Sequence, residues 1–344
     1  MNRSSAFTQL FLARMREFMR EPGVLFWVFG FPILLAIGLG IAFRNKAPDI
    51  VAVAVIEGAG SEAVVKALAP EAGFRTELAT PEKAREHLRL GRVSIVVVPG
   101  ATYEYQFDPT RPESVLARRT VHDALERAAG RTDPVAVRET LIDEPGSRYI
   151  DFLIPGLLGM NIMSGGMWGV GYAMVEMRSR KLLKRLRATP MRRRDFLGAI
   201  IATRMIVVFA EVLLMLGFGW LVFDLVLRGS LWLTTLLSLV GALSFSALGL
   251  AVASRTAKTE VVSGLMNLAM LPMFVLSGVF FSSDRFPDAL QPFVRALPLT
   301  ALNDALRAVI LEGEPLSAQL GRITVLLAWG AVSFLLALRF FRWN

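Results

Sequence analysis

The sequence has no cysteine and only two histidines in 344 residues. The absence of cysteine excludes disulfide bonds, thiolate metal sites and cysteine nucleophiles together. The histidines, His87 and His122, stand far apart on predicted helices, and a zinc site built on them would need carboxylate ligands as well. We therefore expect both to be ordinary surface side chains, with no metal and no cofactor.

Motifs for nucleotide binding and hydrolysis are also missing. The sequence contains no GxxxxGK[ST] phosphate-binding loop, no GxSxG and no HExxH. A chain without a phosphate-binding loop is not expected to hydrolyse ATP by itself. We therefore predict no catalytic residue and expect that the protein is not an enzyme.

Apolar residues are abundant. They make up 54% of the sequence, above the roughly 45–50% usual in soluble domains. Six apolar runs reach the ~20 residues that a helix needs to cross about 30 Å of hydrocarbon. The chain is therefore predicted to be an α-helical integral membrane protein with six transmembrane helices, at residues 24–43, 152–175, 198–226, 231–253, 261–281 and 321–341.

The net charge of +9 is unevenly distributed. Nine basic residues lie between Glu176 and Phe196, whereas residues 44–148 carry fifteen Lys and Arg against sixteen Asp and Glu. Basic residues that cluster at alternate connections indicate the cytoplasmic side. We therefore expect a multi-pass protein of the cell (inner) membrane with both termini cytoplasmic, residues 44–150 outside and no nucleic-acid partner.

Residues 1–23 precede the first apolar run. Apolar side chains from Phe7 to Met19 recur at helical spacing, with basic residues largely on the other faces. This pattern predicts an amphipathic helix lying in the membrane interface, ended by Glu21-Pro22-Gly23. A disordered basic leader is the alternative.

Residues 44–150 have the pattern of an inserted α/β domain. Four predicted strands, at 51–56, 74–78, 93–98 and 103–107, alternate with helices at 61–68, 81–90 and 113–129. Thr80 and Pro81 suit the N-cap and the first turn of the second helix. The alternation predicts a small, partly parallel sheet in an extracytoplasmic domain large enough to bury its own core.

Three polar residues inside predicted membrane helices are candidates for a translocation pathway: Asn161, Glu211 and Asn267. Hydrogen bonding between helices explains the two asparagines equally well. For Glu211 we favour a function, because an unpaired carboxylate in hydrocarbon is costly. Gly165 and Gly169 have GxxxG spacing, which permits close approach of two helices.

The segment from Glu176 to Pro190 is the most informative. A glutamate is followed by a basic amphipathic stretch, then Leu186-Arg-Ala-Thr-Pro190 and a short link into the next apolar run. This segment resembles the cytoplasmic loop of type-2 ABC exporter permeases. The helix at 1–23 is similar to the elbow helix of that family, and residues 282–318 resemble its outer hairpin. The layout resembles the subgroup with a large extracytoplasmic domain after the first span.

The resemblance implies a transport subunit that moves a hydrophobic or amphipathic substrate, such as a drug, lipid or natural product, out of the cytoplasm or inner leaflet. Spans two to six, within residues 151–344, would form the permease bundle, with the coupling loop at 176–197. Expected partners are a separate ABC ATPase subunit, a second permease half that forms a homodimer with this chain, membrane lipids and a periplasmic protein. The residues implied to couple to the ATPase are Glu176, Lys181, Leu186, Thr189 and Pro190.

Two other functional classes remain open. A membrane-anchored sensor or assembly factor would use the outer domain for binding and the helices only for anchoring. An ion-coupled secondary transporter would need inverted repeats and several paired intramembrane carboxylates. Glu211 is the one prominent carboxylate of that kind, and the sequence has no obvious repeat.

Overall fold

The chain is mostly helical (75%) with one small sheet. It divides into two compact units, one formed by Met1–Arg44 with Asp143–Asn344 and the other by Asn45–Ile142. The computed structural model describes residues 6–43, 50–68, 73–100, 102–132, 146, 148–182, 185, 192–255 and 258–340.

Within these described residues, the larger unit has six helices long and apolar enough to cross a membrane, which confirms the predicted number. Span two is longer than predicted, because its helix continues beyond the apolar run. Span five ends five residues earlier than predicted, before Ser277 and the turn at Gly278. The spans one to six are Pro22–Ala42, Tyr149–Ser179, Arg194–Phe223, Leu231–Val252, Thr259–Leu276 and Leu316–Phe340.

Two of the spans contain a π-helical segment, which the sequence pattern did not predict. Span one has one at Phe26–Gly30 and span two has one at Met167–Tyr172. A π-helical turn widens the backbone ladder and is often found near functional positions. In span two, this segment separates the helix Tyr149–Gly166 from the final helical turns Ala173–Ser179.

The first helix, α1 (Ala6–Arg20), covers most of the residues for which the sequence predicts a helix before span one. Its Leu10 packs against a cluster that includes Phe196 and Ile200 of span three. Pro22 begins span one, because a proline in the first helical turn loses no hydrogen bond. The helix α1 is thus fixed beside the beginning of span three.

The smaller unit contains a four-stranded sheet of order β2-β1-β3-β4. Strand β1 pairs in parallel with β2 and with β3, and β3 pairs antiparallel with β4, so the sheet is partly parallel as predicted. The strands are β1 (Val51–Ile56), β2 (Phe74–Ala79), β3 (Ile95–Val98) and β4 (Glu104–Gln106); the helices are α2 (Ser61–Ala67), α3 (Pro81–Arg89) and α4 (Pro112–Ala128).

Helices cover both faces of this sheet. Val53 and Val55 point to one face and pack with α2 and α4, whereas Ala54 points to the other and packs with α3. This separation follows from the two-residue period of a strand. Thr80 occupies the N-cap position of α3 in extended conformation, but its side chain makes no capping hydrogen bond. Pro81, rather than a hydroxyl cap, defines the start of that helix.

Between spans five and six, the chain forms two short helices, α5 (Gln291–Ala296) and α6 (Pro298–Arg307). Helix α6 contacts spans two, four and six, and every residue in it except Asp304 is buried. Leu299 lies beside Gly159, which is ten residues into span two and so about 15 Å along that helix. The segment predicted as an outer hairpin therefore reaches into the bundle, where surrounding protein shields its backbone.

Glycines permit the close crossing of spans two and four. A Cβ atom on Gly171 would lie 2.5 Å from the carbonyl oxygen of Gly249, and one on Gly166 would lie 2.7 Å from Cβ of Phe245. The GxxxG pair from the sequence is not at this crossing. Gly165 faces the Arg204 guanidinium instead, and Gly169 faces open space.

We expect Gly171→Ala to lower the free energy of unfolding by about 1–3 kcal/mol, because the added methyl group would push two backbones apart. Gly169→Ala is the matched control, since it lies in the same π-helical segment with no atom near its Cβ position. Thermal unfolding of both variants in detergent would measure the difference. Equal stability of the two variants would contradict the assignment of the crossing to Gly171.

Candidate functional site

The basic loop, residues 176–197, connects spans two and three. The helix of span two ends at Ser179, and the next long helix begins at Arg193. Glu176 and Arg180 form an ion pair, with Oε1 2.7 Å from Nη2, and both side chains are exposed. Lys181 has a left-handed backbone, with φ of 56°, which turns the chain away from the helix axis. The other predicted coupling residues, Leu186, Thr189 and Pro190, lie outside the described residues.

Arg178 fastens the loop to a second part of the bundle. Its side chain is buried, and Nη1 donates hydrogen bonds to the carbonyl oxygens of Ala253 (3.2 Å) and Ser254 (3.4 Å) just after span four. The sequence pattern gave this arginine only a role in membrane orientation. In the structure, it links the end of span two to the end of span four.

Glu211 is not an unpaired carboxylate. Its Oε1 lies 2.6 Å from Nη1 of Arg204, two helical turns earlier on span three, and both side chains are buried. Arg204 also donates from Nη2 to the carbonyl oxygen of Ile162 in span two, at 3.1 Å. Gly165 leaves the space that the guanidinium occupies. The premise that Glu211 is unpaired therefore does not hold: it pairs with Arg204, which makes the contact from span three to span two. A pathway role for Glu211 stays a prediction.

Asn161 joins spans one and two. Its Nδ2 donates to the carbonyl oxygen of Val28 at 2.7 Å, and its side chain is buried. Val28 lies in the π-helical segment Phe26–Gly30. The contact is a hydrogen bond between helices, the alternative that the sequence left open.

Asn267 is exposed on span five, unlike the other two pathway candidates. Leu268 and Leu271 on the same span are 71% and 63% exposed. Only 22% of the apolar window of span five is buried, against 83% for span two. In the described part of the chain, no hydrogen bond connects Asn267 to Asn161 or Glu211, so the structure does not bring the three candidates into one site.

Sequence reasoning missed two buried polar residues of α6. Nδ2 of Asn303 donates to the carbonyl oxygen of Ser277 at 2.8 Å, and Nε of Arg307 donates to that of Phe152 at 3.3 Å. Arg307 also donates to the carbonyl oxygen of Gly278, and its guanidinium lies 3.7 Å from the centroid of the Phe152 ring. These contacts bind α6 to span two and to the turn after span five. The i, i+3 spacing of Asp304 and Arg307 was the available signal.

Arg307 remains a cation at neutral pH. Burial lowers its pKa to about 10, and the carboxylate of Asp304, 3.7 Å from Nη1, opposes that shift. Burial also raises the pKa of Asp304, while Arg307 lowers it. The two side chains lie at the end of the bundle opposite the basic loop.

The two histidines lie in the smaller unit. His122 is exposed as expected, with Nδ1 3.1 Å from the hydroxyl of Tyr105. His87 is more enclosed than expected, with 14% of its side chain exposed and Nδ1 2.5 Å from Oε1 of Glu77. These contacts link helix α4 to β4 and helix α3 to β2.

Comparison with known proteins identifies the family. The family model described as "ABC-2 family transporter protein" matches residues 22–339. A search of curated proteins found no match. The family match runs from the first span to the last, so this chain belongs to the ABC-2 family of transporter proteins, membrane permease subunits that associate with an ABC ATPase subunit.

Proposed function

We propose that this chain is the permease half of an ATP-driven exporter that works as a homodimer with two copies of a separate ABC ATPase. The basic loop at 176–197 is the coupling element, and Glu176, Lys181, Leu186, Thr189 and Pro190 are its contact residues. Family membership supports a transporter rather than an anchored sensor or an ion-coupled carrier.

The observation that carries the coupling proposal is the continuity of the helices on either side of the loop. Span two runs to Ser179 and the helix of span three starts at Arg193, so the two ends of the basic loop are the last turn of span two and the first turn of span three. The bonds from Arg178 to Ala253 and Ser254 extend the attachment to span four. A displacement of the loop by the ATPase would therefore move spans two, three and four.

We assign the dimer interface and the substrate path to the open face of span five. This face combines an exposed amide, Asn267, with exposed Leu268 and Leu271. An amide in hydrocarbon is costly and tends to face a partner or a cavity. Span two is mostly enclosed within its own chain. An apolar path suits a hydrophobic or amphipathic substrate such as a drug, lipid or natural product.

The topology proposal follows the charges. The protein lies in the inner membrane of the cell, with the basic loop and both termini on the cytoplasmic side. The small α/β unit at 44–150 lies outside. On that side it is available to a periplasmic partner. We propose that α1 lies in the cytoplasmic membrane interface before span one and that spans two to six, with the hairpin at 282–318, form the permease bundle.

The test is co-purification of the full chain with its ABC ATPase in nanodiscs. We expect a complex whose mass corresponds to two copies of each subunit. In a variant that combines Glu176→Ala with Pro190→Ala, the rate of ATP hydrolysis coupled to the permease should fall about tenfold. A factor of this size corresponds to the coupling free energies that are typical of linked sites.

Glu260→Ala provides the control. Glu260 is an exposed carboxylate at the start of span five, at the same end of the bundle as the basic loop. Its replacement should leave the rate of ATP hydrolysis unchanged. Hydrolysis at the native level in the double variant would remove the loop from the coupling route. A native chain that binds no ATPase would refute the exporter.

A further inference from the structure

A cavity of about 510 Å³ opens in the larger unit at the end opposite the basic loop. The start of span two, helix α6 and the start of span six line it, through residues such as Phe152 and Gly321. Its size lies within the roughly 300–1,000 Å³ of ligand sites. Six ionisable side chains line it, three acidic and three basic: Asp284, Asp304, Glu312, Arg295, Arg307 and Arg322.

The inner wall of the cavity is rigid and charged. Arg307 is 9% exposed and is held by the carbonyl oxygens of Phe152 and Gly278. Asp304 lies beside it, with Oδ1 3.7 Å from Nη1 and 34% of the side chain exposed. Arg307 is held by backbone carbonyl oxygens, whereas Asp304 contacts it only at 3.7 Å and keeps 34% of its side chain exposed, so Asp304 is the acidic group on this wall that a ligand can reach.

The rim carries charges of both signs. Arg295 and Glu312 are exposed, and within the described residues neither makes an ion pair. Arg322 already has partners within the chain: its Nη1 donates a hydrogen bond to Oε1 of Gln319 at 2.7 Å and lies 3.5 Å from Oε2 of Glu314. A simple anion or cation at this rim would meet as many repelling as attracting charges. A ligand that carries one positive and one negative group can pair with the acidic and with the basic side chains.

The position of the cavity indicates where that ligand comes from. Phe152 is in the first turn of span two and Gly321 is near the start of span six, so the cavity lies at the end of the membrane-crossing helices. The hydrocarbon ends there and lipid headgroups begin. The Cβ position of Gly321 faces open space, which leaves room for a headgroup.

We propose that this cavity binds the headgroup of a phospholipid that carries both a phosphate and an amine. Arg295 and Arg322 pair with the phosphate, since guanidinium groups suit phosphate oxygens. Asp304 and Glu312 pair with the ammonium group. The proposal concerns binding alone and does not depend on ATP coupling or on the direction of transport.

The experiment titrates the delipidated, detergent-purified full chain with defined lipids and counts bound lipids by native mass spectrometry. Phosphatidylethanolamine should bind about tenfold more tightly than phosphatidylglycerol, which lacks the amine and so one charge-assisted contact. Asp304→Asn should abolish this difference. Arg295→Gln should weaken both lipids alike.

Gly321→Phe tests the cavity without changing a charge. It should fill the space and remove tight phosphatidylethanolamine binding, whereas Gly217→Phe, on span three with equally open surroundings, should keep it. Retention of binding in Gly321→Phe, or equal affinity of the native chain for both lipids, would overturn the proposal. Binding of soluble glycerophosphoethanolamine as tight as that of the lipid would also overturn it, in favour of a soluble zwitterion.

Discussion

Replacing Glu211 by alanine is expected to lower the free energy of unfolding by about 3–5 kcal/mol, the cost of leaving one member of a buried ion pair without its partner. Arg204 would keep its hydrogen bond to the carbonyl oxygen of Ile162 but would lose the carboxylate 2.6 Å away. Thermal or chemical unfolding in detergent, with the native chain in parallel, measures the loss.

A double replacement, Arg204→Met with Glu211→Leu, is the control for this prediction. It removes both charges and fills the space with apolar side chains, so most of the lost stability should return. Single and double variants together give the coupling energy of the pair. A single variant as stable as the native chain would show that water reaches the pair.

The same double variant separates the two roles considered for Glu211. If the ion pair only joins spans two and three, the double variant should transport substrate as the native chain does. Loss of transport at restored stability would place Glu211 in the translocation pathway after all. The comparison therefore decides a question that the contacts of Glu211 alone do not.

Replacing Arg307 by alanine is expected to have an effect of similar size, about 3–5 kcal/mol. The variant would leave the carbonyl oxygens of Phe152 and Gly278 without their donor and would remove the cation above the Phe152 ring. Helix α6 would then lose its attachment to span two and to the turn after span five. Unfolding measurements in detergent would show the lower stability.

Arg322→Ala is the matched control for Arg307→Ala. Arg322 lines the same cavity, but it is half-buried and its ion pair with Glu314 is partly exposed. Such pairs contribute about 0–1 kcal/mol, so this variant should unfold nearly as the native chain does. Equal losses in the two variants would mean that the fixed contacts of Arg307 do not hold α6 in place.

The spans and the alternation of strands and helices could be predicted because each depends on local pattern. An apolar run of about 20 residues has few stable alternatives to a membrane helix. The strand Val51–Ile56 and the helix that starts at Pro81 depend on residues within a few positions. The π-helical segments depend on how neighbouring helices pack, and no local sequence pattern predicted them.

The polar residues show the limit of such reasoning. Asn161, Glu211 and Asn267 had the same signature, a polar group within an apolar run. The structure gives the first two partners, Val28 and Arg204, and leaves Asn267 exposed. A partner on another helix, or on another turn of the same helix, depends on rotation and depth, which the sequence does not encode in any single window.

By itself the sequence determined the number of spans, the basic loop between spans two and three and the presence of a small partly parallel sheet, because hydrophobic length, charge position and strand period are local properties. Only the tertiary structure decided that Gly166 and Gly171, rather than Gly165 and Gly169, meet span four, since a shift of one residue turns a helix by about 100°. It also decided that α6 lies inside the bundle, where Asn303 and Arg307 donate hydrogen bonds to the backbone carbonyl oxygens of Ser277 and Phe152, far away in the sequence.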